Sequence, residues 1–384
     1  MTSYDSIVVG LGAHGSATVA ELARRGARVL GIDRFPRGHE LGSSVGRSRI
    51  IRLSYFEHPD YVPLLRRAWD RWLALEGETG ERILYRTGGL YAGPAGAEVV
   101  EGALRSAREH RLAHEALDGD ELRRRFPWLR LPDGDSGLFE EQAGYLVPER
   151  AIAAHLATAE RHGAELRFGD GANDWHPDGS GFAVHTAGGV TERAERVVIA
   201  AGAWLPSFVP DLALPLKVER VPLLWFEPER PDRFAEIPVY IVGTGDGDFY
   251  GFPYLADQGL KVARHGSPRE DQGTGDVTDP DDVDRSIRPL EDERVRRFVR
   301  SYLPEGDGPL REAKICMYTK TPDGHFIVDR HPEWPGVVLA SACSGHGFKF
   351  ASVMGEILAD LALDGATSLP IGFLSLGRLS AARA

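Results

Sequence analysis

Six residues near the start of the chain, Gly10-Leu11-Gly12-Ala13-His14-Gly15, constrain the fold more than any other stretch. The apolar run Ile7-Val8-Val9 leads straight into them. A helical pattern follows over 16–25, and a second apolar run over 28–32 ends in Asp33. Strand, glycine turn, helix, strand and acid, in that order, make the unit that binds a dinucleotide. Gly10 permits the tight turn, Gly12 lets the backbone approach a pyrophosphate, and Gly15 lets helix and strand pack closely. The start of the helix offers free N–H groups to phosphate, and Gly10, Gly12, Ala13, His14 and Gly15 are the candidate cofactor contacts of this turn. Asp33 can accept the hydrogen bonds of a ribose.

The length of 384 residues leaves room for two domains, each with its own core. A net charge of -12 argues against a nucleic-acid partner, which wants a basic face. No apolar stretch approaches the roughly 20 residues that span a bilayer. The first strand begins by residue 5, which leaves no room for a signal peptide, so the expected location is the cytoplasm. Two cysteines, Cys316 and Cys343, do not make a disulfide scaffold. No segment demands a partner helix, and a monomer is expected. Asparagine and glutamine are scarce, a bias that heat adaptation and a GC-rich genome would both produce.

Lysine is the informative residue type. Only five of the 45 basic residues are lysine: Lys217, Lys261, Lys314, Lys320 and Lys349. Lysine is a compact point charge with a tunable pKa, whereas arginine is planar and always charged. A lysine kept against this bias is a candidate for chemistry that arginine cannot perform, and four of the five fall in the segments treated below as the site.

Helical patterns run over 61–76, 97–111, 148–161 and 349–363, and buried strands over 196–204 and 336–348 precede glycine turns. Residues 218–265 alternate apolar and polar and predict antiparallel sheet. Residues 270–284 form an acidic loop with Gly and Pro. The expected fold class is α/β plus α+β. A nucleotide-binding domain is built from 1–85, 148–215 and 322–384, and a substrate domain of antiparallel sheet from 86–147 and 216–321. A glycine turn at the N-terminus, with the C-terminal strand closing the same domain, points to FAD rather than a nicotinamide, by analogy between folds.

Two further blocks carry chemistry. Lys314-Ile-Cys316-Met317-Tyr318-Thr-Lys320-Thr-Pro-Asp323 is polar where a strand entering a core should be apolar, and Ser344-Gly345-His346-Gly347-Phe348-Lys349 is glycine-rich at a helix start. With Arg49-Ile-Ile-Arg52, Tyr250-Gly-Phe-Pro253 and Gly259-Leu-Lys261, they make the whole chain resemble the monomeric sarcosine oxidase and N-methyltryptophan oxidase family of flavoproteins. The resemblance implies a glutathione-reductase-like, Rossmann-type FAD domain with an inserted substrate domain.

The same resemblance implies that Cys316 carries the flavin through a thioether to its 8α carbon. A thiolate is the attacking species, and nearby cations such as Lys314 favour it; Cys343 is then the inert cysteine. It makes Lys261 the group that promotes reaction of reduced flavin with O2, since a fixed positive charge stabilises nascent superoxide. By strand alternation Lys261 shares a face with Ala263 and His265. Arg52 and Lys349 are the implied clamp for a substrate carboxylate. Arg49 is implied nearer the flavin ring, and an extended backbone would point Arg49 and Arg52 to opposite faces. Tyr250, His265, Tyr318 and Ile241 are implied walls of the substrate pocket. Arg34, Ser43, Ser44, Arg49, Ala172, Ala201, Gly202, Trp204, Met317, Gly345, His346, Gly347, Phe348 and Lys349 are implied cofactor contacts, with the helix after Gly347 presenting N–H groups to the flavin pyrimidine.

Three departures concern the pocket: residues 42–48 lack paired histidines, Cys343 replaces a phenylalanine, and Ile241 replaces a methionine. The reading is an FAD-dependent oxidase of sarcosine or a related N-methyl amino acid, giving the amino acid, formaldehyde and H2O2, with no metal. N-methyl-L-tryptophan, pipecolate, proline and glycated amino acids stay open as substrates. A dehydrogenase of the same fold, a non-catalytic FAD protein and a nicotinamide enzyme are rival readings.

Overall fold

The structure, a computed structural model, describes residues 4–265 and 277–381. Residues 270–276 of the expected acidic loop at 270–284 therefore lie outside the described residues.

Two large sheets and one small sheet organise the chain. In the first, strand Tyr4–Val9 lies between Val29–Asp33 and Thr191–Ile199, parallel to both, and Glu165–Phe168 extends the parallel set beside Val29–Asp33. Strand Val337–Ser341 pairs in parallel with the end of Thr191–Ile199. The hairpin of Ala172–Asp178 and Gly181–Thr186 joins the beginning of that same strand. Helix Ala13–Arg24 packs between Pro148–Arg161 and Ala351–Leu363 on one face. The near-continuous burial of Ile7, Val8, Val9, Leu30 and Ile32 reflects covering on both faces, the usual state of parallel strands.

Because these strands are parallel, their C-terminal ends share one edge. That edge collects Gly10–Gly15, Asp33–His39, Ala201–Trp204 and Ala342–Lys349, four loops of distant sequence, and ligands of open α/β sheets bind at such an edge.

The second sheet runs Leu310–Lys320, Lys217–Phe226, Leu260–His265, Gly247–Gly251, Val239–Thr244, Gly89–Gly93, Ser136–Glu140 and Glu115–Leu117. It departs from the antiparallel expectation at one pair, Val239–Thr244 with Gly89–Gly93, which run parallel because the chain leaves and re-enters this sheet between them. One face buries Leu224, Phe226, Leu260, Val262, Phe249, Tyr240 and Val242 against helix Pro289–Tyr302 and its surroundings. The opposite face carries the polar and aromatic residues discussed below. A third sheet of Arg49–Ile51, Gly144–Leu146 and Leu84–Arg86 bridges the two.

Candidate active site

The register of the second sheet places most of the implied active-site residues on one face. Val221 pairs with Cys316, Trp225 with Lys261, Tyr250 with Ala263, and Ile241 with both Tyr250 and Tyr91. Residues paired across strands share a face, as do residues two apart along a strand. Cys316, Tyr318, Lys261, His265, Tyr250, Ile241, Tyr91 and, through Gly89, Glu140 therefore all project from the same side.

A single cavity of about 700 Å³ lies between this face and the loop edge of the first sheet. Of the residues expected to contact a cofactor, Gly10, Gly12, Ala13, His14, Asp33, Arg34, Ser43, Ser44, Arg49, Ala172, Ala201, Gly202, Trp204, Met317, Gly345, His346, Gly347, Phe348 and Lys349 line it, and so do Arg52, Ile241, Tyr250, His265 and Tyr318. Gly15, Lys261 and Cys316 are not in its lining.

The nucleotide end fits a dinucleotide on its own geometry. Gly10 has a positive φ of 89°, and a Cβ on Gly15 would sit 1.7 Å from the Gly10 carbonyl oxygen, so the lack of a side chain at Gly15 lets helix and turn pack closely. A Cβ on Gly12 would meet nothing within 4 Å, which leaves the backbone open toward the cavity. Helix Ala13–Arg24 has no side-chain cap and no acidic residue in its first turn, so its leading N–H groups remain available for phosphate. Asp33 accepts from the N–H of Leu11 at 2.8 Å and of Phe35 at 2.9 Å, bracing the turn while keeping lone pairs for a ribose. Burial holds the His14 imidazole down at about 4, and its ring bonds the Ala342 carbonyl, tying this helix to the loop after Ser341. Arg34 pairs with Asp281 and stacks over Trp204 at the rim.

At the other end, Arg49 and Arg52 diverge as the extended backbone requires. Arg49 lies 3.5 Å from Cys316 Sγ and also donates to the carbonyls of Ser48, Ser43 and Val45. Arg49 is a cation beside the thiol, one of the bases expected, with Lys314, to supply that field, and Lys314 itself is held by Glu40 at 2.5 Å. Cys343 lines the cavity and accepts from the Thr319 N–H at 3.4 Å, and burial pushes its thiol pKa up, away from the reactive thiolate.

Lys261 is fully buried in an interior strand. Its Nζ donates to the carbonyls of Gly46 at 2.6 Å and Ser48 at 2.9 Å, and to Ser48 Oγ at 3.2 Å, above the rings of Phe252 and Trp225. Burial, then Arg49, hold its pKa well below the ordinary lysine value. Gly46 has a φ of 114° and a Cβ there would strike Leu223 at 2.5 Å, so glycine allows the 46–48 turn to press onto the ammonium.

Arg52 is almost fully buried and donates through Nη2 to both oxygens of Glu57, at 2.7 and 2.6 Å. Glu57, which the sequence reading missed, lines the cavity, and despite burial Arg52 holds its pKa down to about 2. Lys349 is buried across from it, over the Tyr55 ring, with Nζ 2.7 Å from the His346 carbonyl. Burial and then Arg52 lower its pKa to about 7. His265 and His346 are pushed by burial to about 4 and 3. His346 donates Nε2–H to the Gly324 carbonyl, so its Nδ1 accepts from Tyr55 at 2.5 Å. Tyr250 and Tyr318 stay protonated, their pKa values raised mainly by burial.

Glu140 was also missed. It is buried, and burial raises its pKa. Its carboxyl group accepts from the Leu53 and Ser54 N–H groups, the Ser54 hydroxyl and the Tyr91 phenol, which anchors the turn directly after Arg52. No glycine turn or lysine bias marks either glutamate in the sequence.

Comparison with known proteins agrees with this geometry. A family model described as FAD dependent oxidoreductase matches residues 5–361. The monomeric sarcosine oxidase of Streptomyces avermitilis is 43% identical, over 100% of this chain and 99% of that one. The N-methyl-L-tryptophan oxidase of Salmonella dublin is 33% identical, over 98% of this chain and 99% of that one. Among solved structures, NikD, an unusual amino acid oxidase essential for nikkomycin biosynthesis, superimposes with a TM-score of 0.84 at 25% identity, covering 98% of each chain.

Proposed function

The chain belongs to the FAD-dependent oxidoreductases and, within them, to the monomeric sarcosine oxidase and N-methyltryptophan oxidase family, and from that premise we propose that it oxidises sarcosine or a close N-methyl amino acid. The observation that carries this reading is the continuity of one cavity from an uncapped helix start to the buried pair Arg52 and Lys349. A dinucleotide fits one end, and a small carboxylate fits the other.

FAD supplies the acceptor for a hydride equivalent and, with O2, the route to hydrogen peroxide. The protein's own groups do the rest. Arg52 and Lys349 bind the substrate carboxylate and so fix where the N-methyl group lies. Glu57 must first release Arg52. The amine then sits among net positive charge and neutral groups: Arg49, Arg52 and Lys349 outnumber the Glu57 carboxylate in the same cavity, and the imidazole of His265 and the phenols of Tyr250 and Tyr318 are uncharged. Such surroundings disfavour an ammonium and favour the neutral amine, whose lone pair the oxidation needs. No carboxylate base is required.

Cys316 is our candidate for covalent attachment of the flavin, supported by its place on the active face and by the Arg49 guanidinium beside its sulfur. Lys261 is our candidate for activating O2, as a buried positive centre on that same face. Residues 1–85, 148–215 and 322–384 would form the FAD unit, and 86–147 and 216–321 the substrate unit. We assign the protein to the cytoplasm and to a monomeric state, with an amino acid and O2 as its small-molecule partners.

Visible spectra test the reading. Purified protein should be yellow, bleach anaerobically with sarcosine, and release peroxide in stoichiometric amounts on admitting air. Bleaching without peroxide would make it a dehydrogenase. No bleaching with sarcosine or any other N-methyl amino acid would refute the proposal.

A further inference from the structure

Away from the cavity, the hairpin at the edge of the first sheet brings together Asp174, His176 and His185. We propose that this trio is a binding site for a divalent transition-metal cation of the zinc type. The register pairs Asp174 with His185 and His176 with Ala183, so Asp174, His176 and His185 share one face of the hairpin. The irregularity between Ala172 and Asp174 sets that register. His185 Nδ1 lies 2.7 Å from Asp174 Oδ1, the two imidazole rings are 4.7 Å apart, and the three potential ligand atoms all lie within 4.8 Å of one another.

The donor set selects the ion class. Two imidazoles and a carboxylate suit zinc and its neighbours, with metal–ligand bonds of roughly 2.0–2.2 Å, whereas magnesium and calcium prefer oxygen alone. Tetrahedral coordination needs ligand atoms roughly 3.3 Å apart, a spacing that follows from those bond lengths. Side chains that are 62% exposed at Asp174 and 41% exposed at His185 can close that gap by rotating. Three protein ligands leave the fourth position to water. The scaffold beneath is held: Trp175, on the opposite face, donates to the Phe208 carbonyl and packs against Phe182 and His331. Asp178, next along the ligand face, is engaged by Arg193.

The site has a consequence for the fold. Gly171, Ala172 and Asn173, at the root of the hairpin, line the nucleotide end of the cavity. A cation joining the two strands would hold that root, and binding to the folded form alone raises thermal stability by mass action.

Calorimetric titration of the tag-free, full-length holoprotein with ZnCl2 tests the proposal. One zinc per chain should bind saturably, and His176→Ala and His185→Ala should each weaken it by about tenfold or more, roughly the worth of one ligand. At the same zinc concentration the melting temperature of the parent should rise more than that of either variant, and MgCl2 should not raise it. Absence of saturable binding, or equal zinc affinity in parent and variants, would overturn the site. Magnesium binding as tight as zinc would overturn the ion class.

Discussion

Arg52 Nη2 lies within 2.7 Å of both carboxylate oxygens of Glu57, so the guanidinium expected to receive a substrate carboxylate already holds one from its own chain. Glu57 and substrate compete for the same donor. Glu57→Gln should therefore tighten binding of methoxyacetate, an isostere of sarcosine without the amine. Arg52→Ala should weaken it by about 2–5 kcal/mol, the usual cost of losing one partner of a buried charged pair. Difference spectra of the bound flavin during titration read both constants. Unchanged affinity in Arg52→Ala would remove Arg52 from the clamp.

The clamp should also give carboxylate binding a pH dependence. Lys349 has a pKa of about 7, lowered by burial and then by Arg52, and only its protonated form attracts an anion. Below pH 7 the free enzyme already carries that charge. Above it, binding must take up a proton, so methoxyacetate affinity should fall as pH rises, by up to about tenfold per pH unit. Glu57 and His265, with pKa values of about 2 and 4, keep their charge states throughout this range. In Lys349→Met the profile between pH 6 and 9 should flatten and the affinity at pH 6 should drop. A slope retained in Lys349→Met would assign the titration elsewhere.

The two cysteines can be told apart by denaturation. Cys316 Sγ is 3.5 Å from the Arg49 guanidinium, while Cys343 lines the cavity as a thiol whose pKa burial raises. Acid precipitation should leave the yellow colour in the protein pellet. Cys316→Ser should release it into the supernatant, and Cys343→Ser should not. Flavin freed from the parent protein by acid would refute covalent attachment.

The sequence made the nucleotide half of the fold legible because its signals are local. Gly10, Gly12, Gly15 and Asp33 lie within one strand–turn–helix–strand unit, and the 148–161 helix has the bounds its periodicity predicts. The active face was legible only residue by residue. Alternation put Lys261 with His265, but nothing local could show that Cys316, Lys261, Tyr250 and Ile241 share one face, since that depends on pairings across distant strands. The lysine census drew attention to Lys261 and Lys349, which are buried, but also to Lys314 and Lys320, which pair with Glu40 and Glu219. Glu57 and Glu140 were missed because each acts through a contact with another segment. In a chain with 57 acidic residues, two more glutamates carry no signal.

Glu140 gives the next test. Its carboxyl group fixes the Leu53 and Ser54 amides and so the backbone that aims Arg52. Glu140→Gln keeps the size but loses one acceptor oxygen among several donors, at a cost of about 1–3 kcal/mol in stability. Acting as a positioning residue, it should raise KM for sarcosine several-fold while the rate of flavin reduction at saturation changes little. Thermal loss without a change in KM would make Glu140 merely structural.

The reaction with oxygen isolates Lys261. Its ammonium is held by the Gly46 and Ser48 carbonyls and the Ser48 hydroxyl, within a turn that only glycine at position 46 allows. Such a preorganised charge acts where negative charge develops, and losing it typically costs about a hundred- to a thousandfold in rate. Lys261→Met should therefore slow reoxidation of the reduced enzyme by about that factor, while anaerobic reduction by substrate changes much less. Lys261→Arg should restore only part of the rate, since a planar guanidinium cannot meet three acceptors converging on one nitrogen. Stopped-flow measurement of the two half-reactions separates the outcomes. Equal slowing of both would make Lys261 a scaffold residue, and normal reoxidation in Lys261→Met would take it out of the oxygen reaction altogether.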